Sequence, residues 1–295
     1  MTSGNVVLIT GATAGIGRVT ALRLARAGHR VFATGRRRDA LASLEKEAAG
    51  TGLEAFPLDV TDAESIARAV AEVNRRTEGY GLDVLVNNAG YGELGPVETI
   101  DEARVRKQYD TNVFGLLAVT KAFVGAMRER GAGRIINVSS VGGRVTFPLM
   151  GVYTSTKHAV EALSDALRIE LRPFGVRVSV IQPGAIATEF SATALDTVSG
   201  LEGSPYAPLA SRVDEIEGHF SAIEVGPEVI AAAIERAATS RRPRARYVAP
   251  FSAKLVLLLT AILPTSLLDW VYGRLTGLRR HALRPSPSEG ALGAS

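Results

Sequence analysis

The alternation of short apolar runs with longer amphipathic stretches constrains the fold of this 295-residue chain more than any other feature. Runs rich in β-branched residues predict seven strands, at 6–10, 30–35, 53–58, 83–87, 134–139, 176–181 and 246–249. Helices are predicted between them, at 15–27, 39–49, 62–77, 101–130, 152–171 and 228–239. This order predicts an α/β fold, a doubly wound seven-stranded parallel sheet of the Rossmann type flanked by helices.

The same pattern predicts the domain organisation. Residues 1–250 are expected to form one domain that binds a dinucleotide and carries the catalytic groups. An apolar helical extension is expected over 251–283, and a disordered tail over 284–295, which is rich in Pro, Ser and Gly. Thr61 is expected to cap the third helix, with Glu64 completing a capping box.

Composition excludes several classes of protein. The chain has no cysteine, which excludes a disulfide-stapled domain and a Cys-ligated zinc site, and its four histidines lack metal-ligand spacing. Residues 1–240 have 25 basic and 28 acidic side chains, whereas 241–295 have 9 and 2. The basic character therefore belongs to the C-terminal part, and we expect no metal and no nucleic-acid partner. The N-terminus lacks the basic and long apolar segments of a signal peptide, which predicts a cytoplasmic location.

A glycine-rich turn follows the first predicted strand and opens the first helix. Glycines let the backbone approach a pyrophosphate, and a helix N-terminus offers free N–H groups. The spacing is G-x-x-x-G-x-G, so a plain strand–helix turn would also fit, but the position after the first strand favours a nucleotide site. The candidate residues are Gly11, Thr13, Gly15, Ile16 and Gly17.

The end of the second predicted strand bears on the choice of cofactor. An NAD site needs an acidic residue about 20 residues past the glycines, to bind the ribose 2′-hydroxyl. This strand ends instead at Arg36, followed by two further arginines. A guanidinium can bind a 2′-phosphate in a charge-assisted contact, so we predict NADP(H). A solvated charge cluster at a turn is the alternative.

Tyr153 and Lys157 lie four residues apart at the start of a predicted helix, which places them on one face. The unperturbed pKa of tyrosine is about 10. A cation about 4 Å away contributes up to ~4 kcal/mol, which lowers that pKa by as much as ~3 units. The pair is therefore a candidate acid/base. Taken alone, the spacing is common, and a core Tyr beside an exposed Lys fits it equally well.

The motifs taken in chain order are more specific than any one of them. They are TGATAGIG at 10–17, LDV at 58–60, NNAG at 87–90, Asn112, VSS at 138–140, Tyr153 with Lys157, and PG at 183–184. Over about residues 5–250 the sequence closely resembles the compact subgroup of the short-chain dehydrogenase/reductase family. Gln182 departs from it, because Asn is frequent there.

The resemblance implies a set of catalytic residues. Tyr153 would be the acid/base, and Lys157 would bind the nicotinamide ribose and lower the pKa of the tyrosine. Ser140, thirteen residues before Tyr153, would orient and polarise the substrate oxygen. Asn112 would hold a water of the proton relay.

The resemblance also implies contacts to the cofactor beyond the glycine-rich turn. Asp59 and Val60 would contact the adenine, and Asn88 and Gly90 would lie beside the ribose. The loop after the sixth strand would surround the nicotinamide carboxamide through Pro183, Gly184, Ile186 and Thr188.

The C-terminal extension is apolar and includes the one tryptophan, Trp270. Residues 255–268 carry no charge, but this 14-residue stretch contains Pro264 and is too short to span a bilayer. Helices that cover the substrate cleft or a subunit interface are one interpretation. A peripheral membrane contact through 251–280 is the other, supported by nearby arginines. The extension is similar to the C-terminal part of retinol and steroid dehydrogenases of the family.

These observations predict an oxidoreductase that interconverts an alcohol and its ketone or aldehyde, with a lipophilic small-molecule substrate. The alternatives are a 3-ketoacyl-thioester reductase and, outside enzymes, a cofactor-binding sensor or scaffold. Apolar residues expected near the substrate lie in 142–150 and 195–224, among them Phe147, Leu149 and Met150. The second of these segments is expected to be a mobile lid. A homo-oligomer is expected from the family, through the predicted helices 101–130 and 152–171.

Overall fold

The computed structural model describes residues 4–187, 204–207 and 224–278. Within them, seven strands form one sheet in the order β3-β2-β1-β4-β5-β6-β7, and every neighbouring pair is parallel. The strands are β1 Val6–Ile9, β2 Arg30–Gly35, β3 Leu53–Pro57, β4 Val84–Asn87, β5 Gly133–Val138, β6 Val176–Pro183 and β7 Arg246–Ala249. The predicted doubly wound α/β fold is confirmed.

Helices connect these strands and cover both faces of the sheet. They are α1 Gly15–Arg26, α2 Arg38–Glu47, α3 Ala63–Arg76, α4 Glu102–Tyr109, α5 Leu116–Arg130, α6 Gly151–Glu170 and α7 Glu228–Thr239. One core cluster packs α1 and α7 against the sheet, and a second packs α3 and α5 against the other face. Because both faces are covered, the central strands are largely apolar, as their sequences predict.

The structure corrects two local predictions. The cap of α3 is Asp62, whose side chain accepts a hydrogen bond from the Glu64 N–H at 2.9 Å, whereas Thr61 bonds to Asp59. The predicted single helix over 101–130 is interrupted by a π-helical turn at Asp110–Gly115, between α4 and α5. Hydrophobic periodicity does not reveal one extra residue in a helix, which is why the sequence did not predict this turn.

Two further helices form the C-terminal extension, α8 Phe251–Ile262 and α9 Thr265–Thr276. Ala253 of α8 is buried and packs beside Gly184, and Tyr272 of α9 contacts the ring of Phe147. None of the helices described here is long and apolar enough to span a membrane. The predicted tail at 284–295 lies outside the described residues.

Candidate active site

The predicted site residues lie along the carboxyl ends of the strands, on both sides of the boundary between β1 and β4. At that boundary the strand order reverses, because β2 and β3 extend to one side and β5 to β7 to the other. Crevices of this kind are where open α/β sheets bind their ligands. The site therefore begins at the turn between β1 and α1.

The glycine-rich turn leaves the N-terminus of α1 open. The helix starts at Gly15 with no side-chain cap and no acidic residue in its first turn, so its N–H groups face outward unneutralised. Gly11 has a φ of +67°, and a Cβ added at Gly17 would lie 2.3 Å from the Gly11 carbonyl oxygen. Only glycine fits there, and the resulting cradle fits a phosphate group. Ile16 is partly buried against the core beneath it.

Asn88 holds this turn in place. Its backbone N–H donates to the Thr10 Oγ1, and its Nδ2 donates to the carbonyl oxygens of Thr10 and Gly11, each at 3.0 Å. The turn after β4 is thereby fixed to the turn after β1. Asn88 therefore shapes the cradle. The sequence places Thr10 in the glycine-rich motif, but it does not predict the contact with Asn88, because the two residues are far apart in the chain.

The residues expected at the adenine end lie after β2 and β3. Arg36 is exposed, and its charge acts on Asp59. Burial raises the pKa of the Asp59 carboxyl, but hydrogen bonds from Thr61 and the Arg36 charge lower it below its usual range. The side chain of Thr13 lies over Gly35, where a Cβ would come 2.6 Å from Thr13 Cγ2. Val60 is buried, so its side chain belongs to the core.

Asn112 lies in the π-helical turn and is buried. Its Oδ1 accepts from the Tyr91 N–H at 3.1 Å, and its Nδ2 donates to the Tyr91 carbonyl at 2.9 Å and to Thr156 Oγ1 at 3.1 Å. A Cβ added at Gly90 would lie 3.0 Å from Asn112 Oδ1 and 3.6 Å from Lys157 Nζ. Gly90 therefore lets Asn112 and Lys157 approach one another.

Tyr153 and Lys157 are both buried on one face of α6, beside the end of β5. Lys157 Nζ donates to the Val138 carbonyl at 3.0 Å and lies 5.8 Å from the centre of the Tyr153 ring. Ser140, just after β5, makes a hydrogen bond with Tyr153 and accepts one from the Gly142 N–H. The three side chains form one cluster, as the sequence predicts.

The electrostatics of this cluster differ from the prediction. Burial raises the pKa of Tyr153 to about 12, and the hydrogen bond with Ser140 offsets only part of the rise. Burial also lowers the pKa of Lys157 to about 8, although the charge of Glu161 opposes this. The expectation of a lowered tyrosine pKa is therefore wrong for this structure, because the loss of hydration on burial outweighs the hydrogen bond with Ser140.

The end of β6 completes the site. Pro183 ends the strand opposite Ala249 of β7, and Gly184 donates its N–H to the Ala249 carbonyl at 2.8 Å. A Cβ at Gly184 would lie 2.9 Å from Ala253 Cβ, so α8 packs directly on this loop. Ile186 is buried and pairs with Val225. Thr188 lies outside the described residues, as do most of the residues of the expected lid.

The doubly wound sheet, the open glycine-rich turn and the tyrosine–lysine–serine cluster define the class of protein, a dinucleotide-binding oxidoreductase. Residues 5–198 match the family model described as short chain dehydrogenase. The chain therefore belongs to the short-chain dehydrogenase/reductase family.

Named relatives span nearly the whole chain. The oxidoreductase YbbO of Escherichia coli is 36% identical over 89% of this chain and 92% of its own. The NADPH-dependent 3-dehydrocapnine reductase of Ornithobacterium rhinotracheale is 31% identical over 90% of this chain and 95% of its own. Retinol dehydrogenase 16 of Rattus norvegicus is 35% identical over 90% of this chain and 87% of its own. The similarity therefore extends into the C-terminal extension.

Two solved structures are also similar to this chain over most of its length. A short-chain dehydrogenase from Streptomyces avermitilis superimposes with a TM-score of 0.75 at 34% identity, over 94% of this chain and 96% of its own. A serine dehydrogenase in complex with NADP+ gives a TM-score of 0.73 at 31% identity, over 84% and 95%.

Proposed function

We propose that the chain is an NADP(H)-dependent oxidoreductase that interconverts an alcohol and its ketone or aldehyde, with Tyr153 as the acid/base. One observation carries the proposal: Tyr153, Lys157 and Ser140 meet in a buried cluster at the carboxyl ends of the strands. A sensor or scaffold would have no need of a buried lysine beside a buried phenol, since burial of a charged group costs free energy.

The protein groups would manage the proton and the orientation of the substrate. With a pKa of about 12, Tyr153 keeps its proton at neutral pH and can donate it from Oη to a carbonyl oxygen. Ser140 Oγ, bonded to Tyr153, can hold that same oxygen. Lys157 stabilises the phenolate that remains, and Asn112 lies beside Lys157 where a water of a proton relay would bind. NADPH, when bound, supplies the hydride.

The residues present fit NADP(H). The glycine cradle at Gly11 and Gly17 leaves no room for a side chain and presents N–H groups to a pyrophosphate. Arg36 is exposed where a 2′-phosphate would lie, next to Asp59 at the adenine end. The relatives that name NADPH or NADP+ support the same cofactor.

We propose a lipophilic substrate. Phe147 follows the Ser140 segment and makes an edge-on contact with Tyr272 of α9, with ring centres 5.8 Å apart. Leu149 and Met150 lie between that contact and Tyr153 in the chain, and both are partly exposed. The extension thus adds an apolar wall to the substrate side. A relative named for retinol, an apolar alcohol, supports this substrate class.

A substrate panel tests the proposal. We expect NADPH-dependent reduction of decanal and retinal at rates at least about 10-fold above those of short ketones. Each methylene group that is buried against an apolar wall contributes favourably to the binding free energy. NADPH absorbance measures the rates, and a 3-ketoacyl thioester is the comparison compound. Preference for the thioester would favour the ketoreductase alternative. Absence of turnover with every compound would contradict the enzymatic proposal.

We also propose that the extension contacts a lipid surface. Its exposed apolar residues repeat every three or four positions along α8, which places them on one face: Phe251, Leu255, Leu258, Leu259 and Ile262. Trp270 of α9 is 57% exposed, with the Arg274 guanidinium 4.7 Å from its ring. An apolar face bordered by cations suits an anionic bilayer.

A matched pair of variants tests this contact. Ile262 and Ile169 are 69% and 65% exposed, but only Ile262 lies on the apolar face of α8. Ile262→Glu is expected to lower binding to phosphatidylcholine vesicles containing phosphatidylglycerol by at least about 10-fold, because a carboxylate would have to enter the bilayer. Ile169→Glu should leave binding unchanged. Cosedimentation measures the binding of each variant to the vesicles, and equal binding by both variants would refute the lipid contact.

We also propose a homo-oligomer through α6 and through α4, the π-helical turn and α5, which together occupy the predicted helix 101–130. Phe114, in the π-helical turn before α5, is 59% exposed, which suits a surface that another subunit covers. Analytical ultracentrifugation would give the mass, and a monomer at micromolar concentration would contradict the proposal.

A further inference from the structure

A polar cluster around the buried Glu161 lies behind Lys157 and has no part in the roles proposed above. Glu161 is only 5% exposed. Its Oε1 accepts from Gln182 Nε2 at 2.8 Å, and its Oε2 accepts from Arg246 Nε at 2.9 Å. Arg246 also donates to Asp165 Oδ2 at 2.6 Å. The cluster joins α6 to the last two strands of the sheet.

Glu161 lies one helical turn beyond Lys157 on the same face of α6. Gly143 shows how tightly this region is packed, because a Cβ there would lie 2.9 Å from both Glu161 Cγ and the Lys157 carbonyl oxygen. Even a methyl side chain at Gly143 would not fit between the helix and the turn after β5. The carboxylate therefore faces the buried side of the helix that carries the Lys157 ammonium.

Burial of a carboxylate is unfavourable in free energy unless hydrogen bonds or an opposite charge compensate for the loss of hydration. Gln182 and Arg246 satisfy both of its oxygens, so the cluster maintains a negative charge close to Lys157. Burial alone would favour the neutral amine of Lys157, and Glu161 opposes that tendency. The carboxylate thus favours the form of Lys157 that can stabilise a phenolate.

We infer that Glu161 is a positioning residue that holds Lys157 in its protonated form, and that Gln182 and Arg246 hold Glu161. The effect on catalysis rests on the proposed function, but the effect on Lys157 does not. The substitution of Gln for the more frequent Asn at position 182 then has a physical meaning, since its longer side chain bonds to the carboxylate.

The charged and titratable groups around this pair are few in the described part of the chain. From α6 they are Tyr153 and Asp165, and from β7 Arg246. The neighbours from the other elements are neutral: the Val138 carbonyl of β5, Asn112 of the π-helical turn, and Gln182. Arg246 and Asp165 keep their charges at neutral and moderately alkaline pH, so Lys157 is the group that titrates there.

The pH dependence of unfolding of the cofactor-free protein tests the inference. The folded-state pKa of Lys157, about 8, lies below its unfolded value of 10.5, so the free energy of unfolding rises with pH between them. Glu161→Gln is expected to lower the folded-state pKa by about one unit or more, so the rise begins at lower pH. The variant then loses more stability at about pH 6 than at about pH 9.5, by about 1.4 kcal/mol per unit of pKa.

Two further variants separate this effect from a loss of packing. Asp165→Asn removes another carboxylate that binds Arg246, and its loss of stability should be the same at both pH values. Arg246→Gln keeps an amide that can donate to the Glu161 carboxylate but removes the positive charge, so the pKa of Lys157 should rise and the difference between the two pH values should reverse. This opposite sign tests the inference even if Glu161→Gln does not fold.

Turnover provides the second measurement. With the best substrate of the panel above, the alkaline fall in kcat/KM should move to lower pH in Glu161→Gln and to higher pH in Arg246→Gln, and it should stay in place in Asp165→Asn. Equal pH dependence of unfolding in all four proteins would overturn the role of Glu161. Shifted unfolding curves without any turnover would instead overturn the proposed function alone.

Discussion

Replacement of Tyr153 by Phe is expected to lower kcat by about 10³-fold, while the affinity for NADPH changes by less than about 3-fold. Proton transfer by a positioned side chain contributes typically 10² to 10⁴ to the rate, and the phenyl ring has no proton to donate. The fold should tolerate the change, because the ring keeps its buried position and the substitution removes the hydroxyl that bonds with Ser140. Stopped-flow absorbance gives the rate, and NADPH fluorescence gives the affinity.

Tyr109 provides the matched control. Its hydroxyl also bonds to a serine, Ser155, at 2.9 Å, but on the outer side of α6. Tyr109→Phe should therefore retain turnover within about 2-fold, which is the range of effects of a lost surface hydrogen bond. Undiminished turnover in Tyr153→Phe would remove the central element of the proposed mechanism.

Replacement of Arg36 by Asp is expected to reduce kcat/KM for NADPH by about 100-fold and to raise that for NADH. A charge-assisted contact to a phosphate contributes about 1.5–3 kcal/mol, and the new carboxylate adds repulsion. The same carboxylate would suit the ribose 2′-hydroxyl of NADH. Steady-state rates with both cofactors measure the change.

The control for this prediction is Arg38→Asp, which makes the same change of charge at an exposed residue two positions further on. It should alter the preference for NADPH by less than about 3-fold, because exposed charges at longer range are screened by salt. An unchanged preference in Arg36→Asp would contradict the assignment of the 2′-phosphate to this residue.

The sequence predicts much of this molecule because its strands are buried on both faces. Runs such as Val84–Asn87 have no polar alternation, and their position between amphipathic stretches leaves few arrangements other than a parallel sheet. The glycines of the cradle were also predictable, since Gly11 has a backbone conformation that other residues rarely adopt.

The features that escaped prediction depend on contacts between residues far apart in the chain. The pKa of Tyr153 depends on how completely α6 and the turn after β5 exclude water, and no local pattern encodes that. Glu161 looks like an ordinary helical glutamate until Arg246, 85 residues later, is seen to bind it. Asn88 likewise occurs in a recognised motif, but its contact with Thr10 spans 78 residues.

The π-helical turn at Asp110–Gly115 has a consequence for insertions and deletions between β4 and β5. Each residue of an α-helix turns the chain by about 100°, and a π-type turn takes up one extra residue. A single deletion there would restore a continuous helix and remove the wider turn that carries Asn112. The close approach of Asn112 to Gly90 is then expected to be lost. The fold is therefore expected to tolerate an insertion or deletion of one residue in this turn less well than one of several residues in a surface loop.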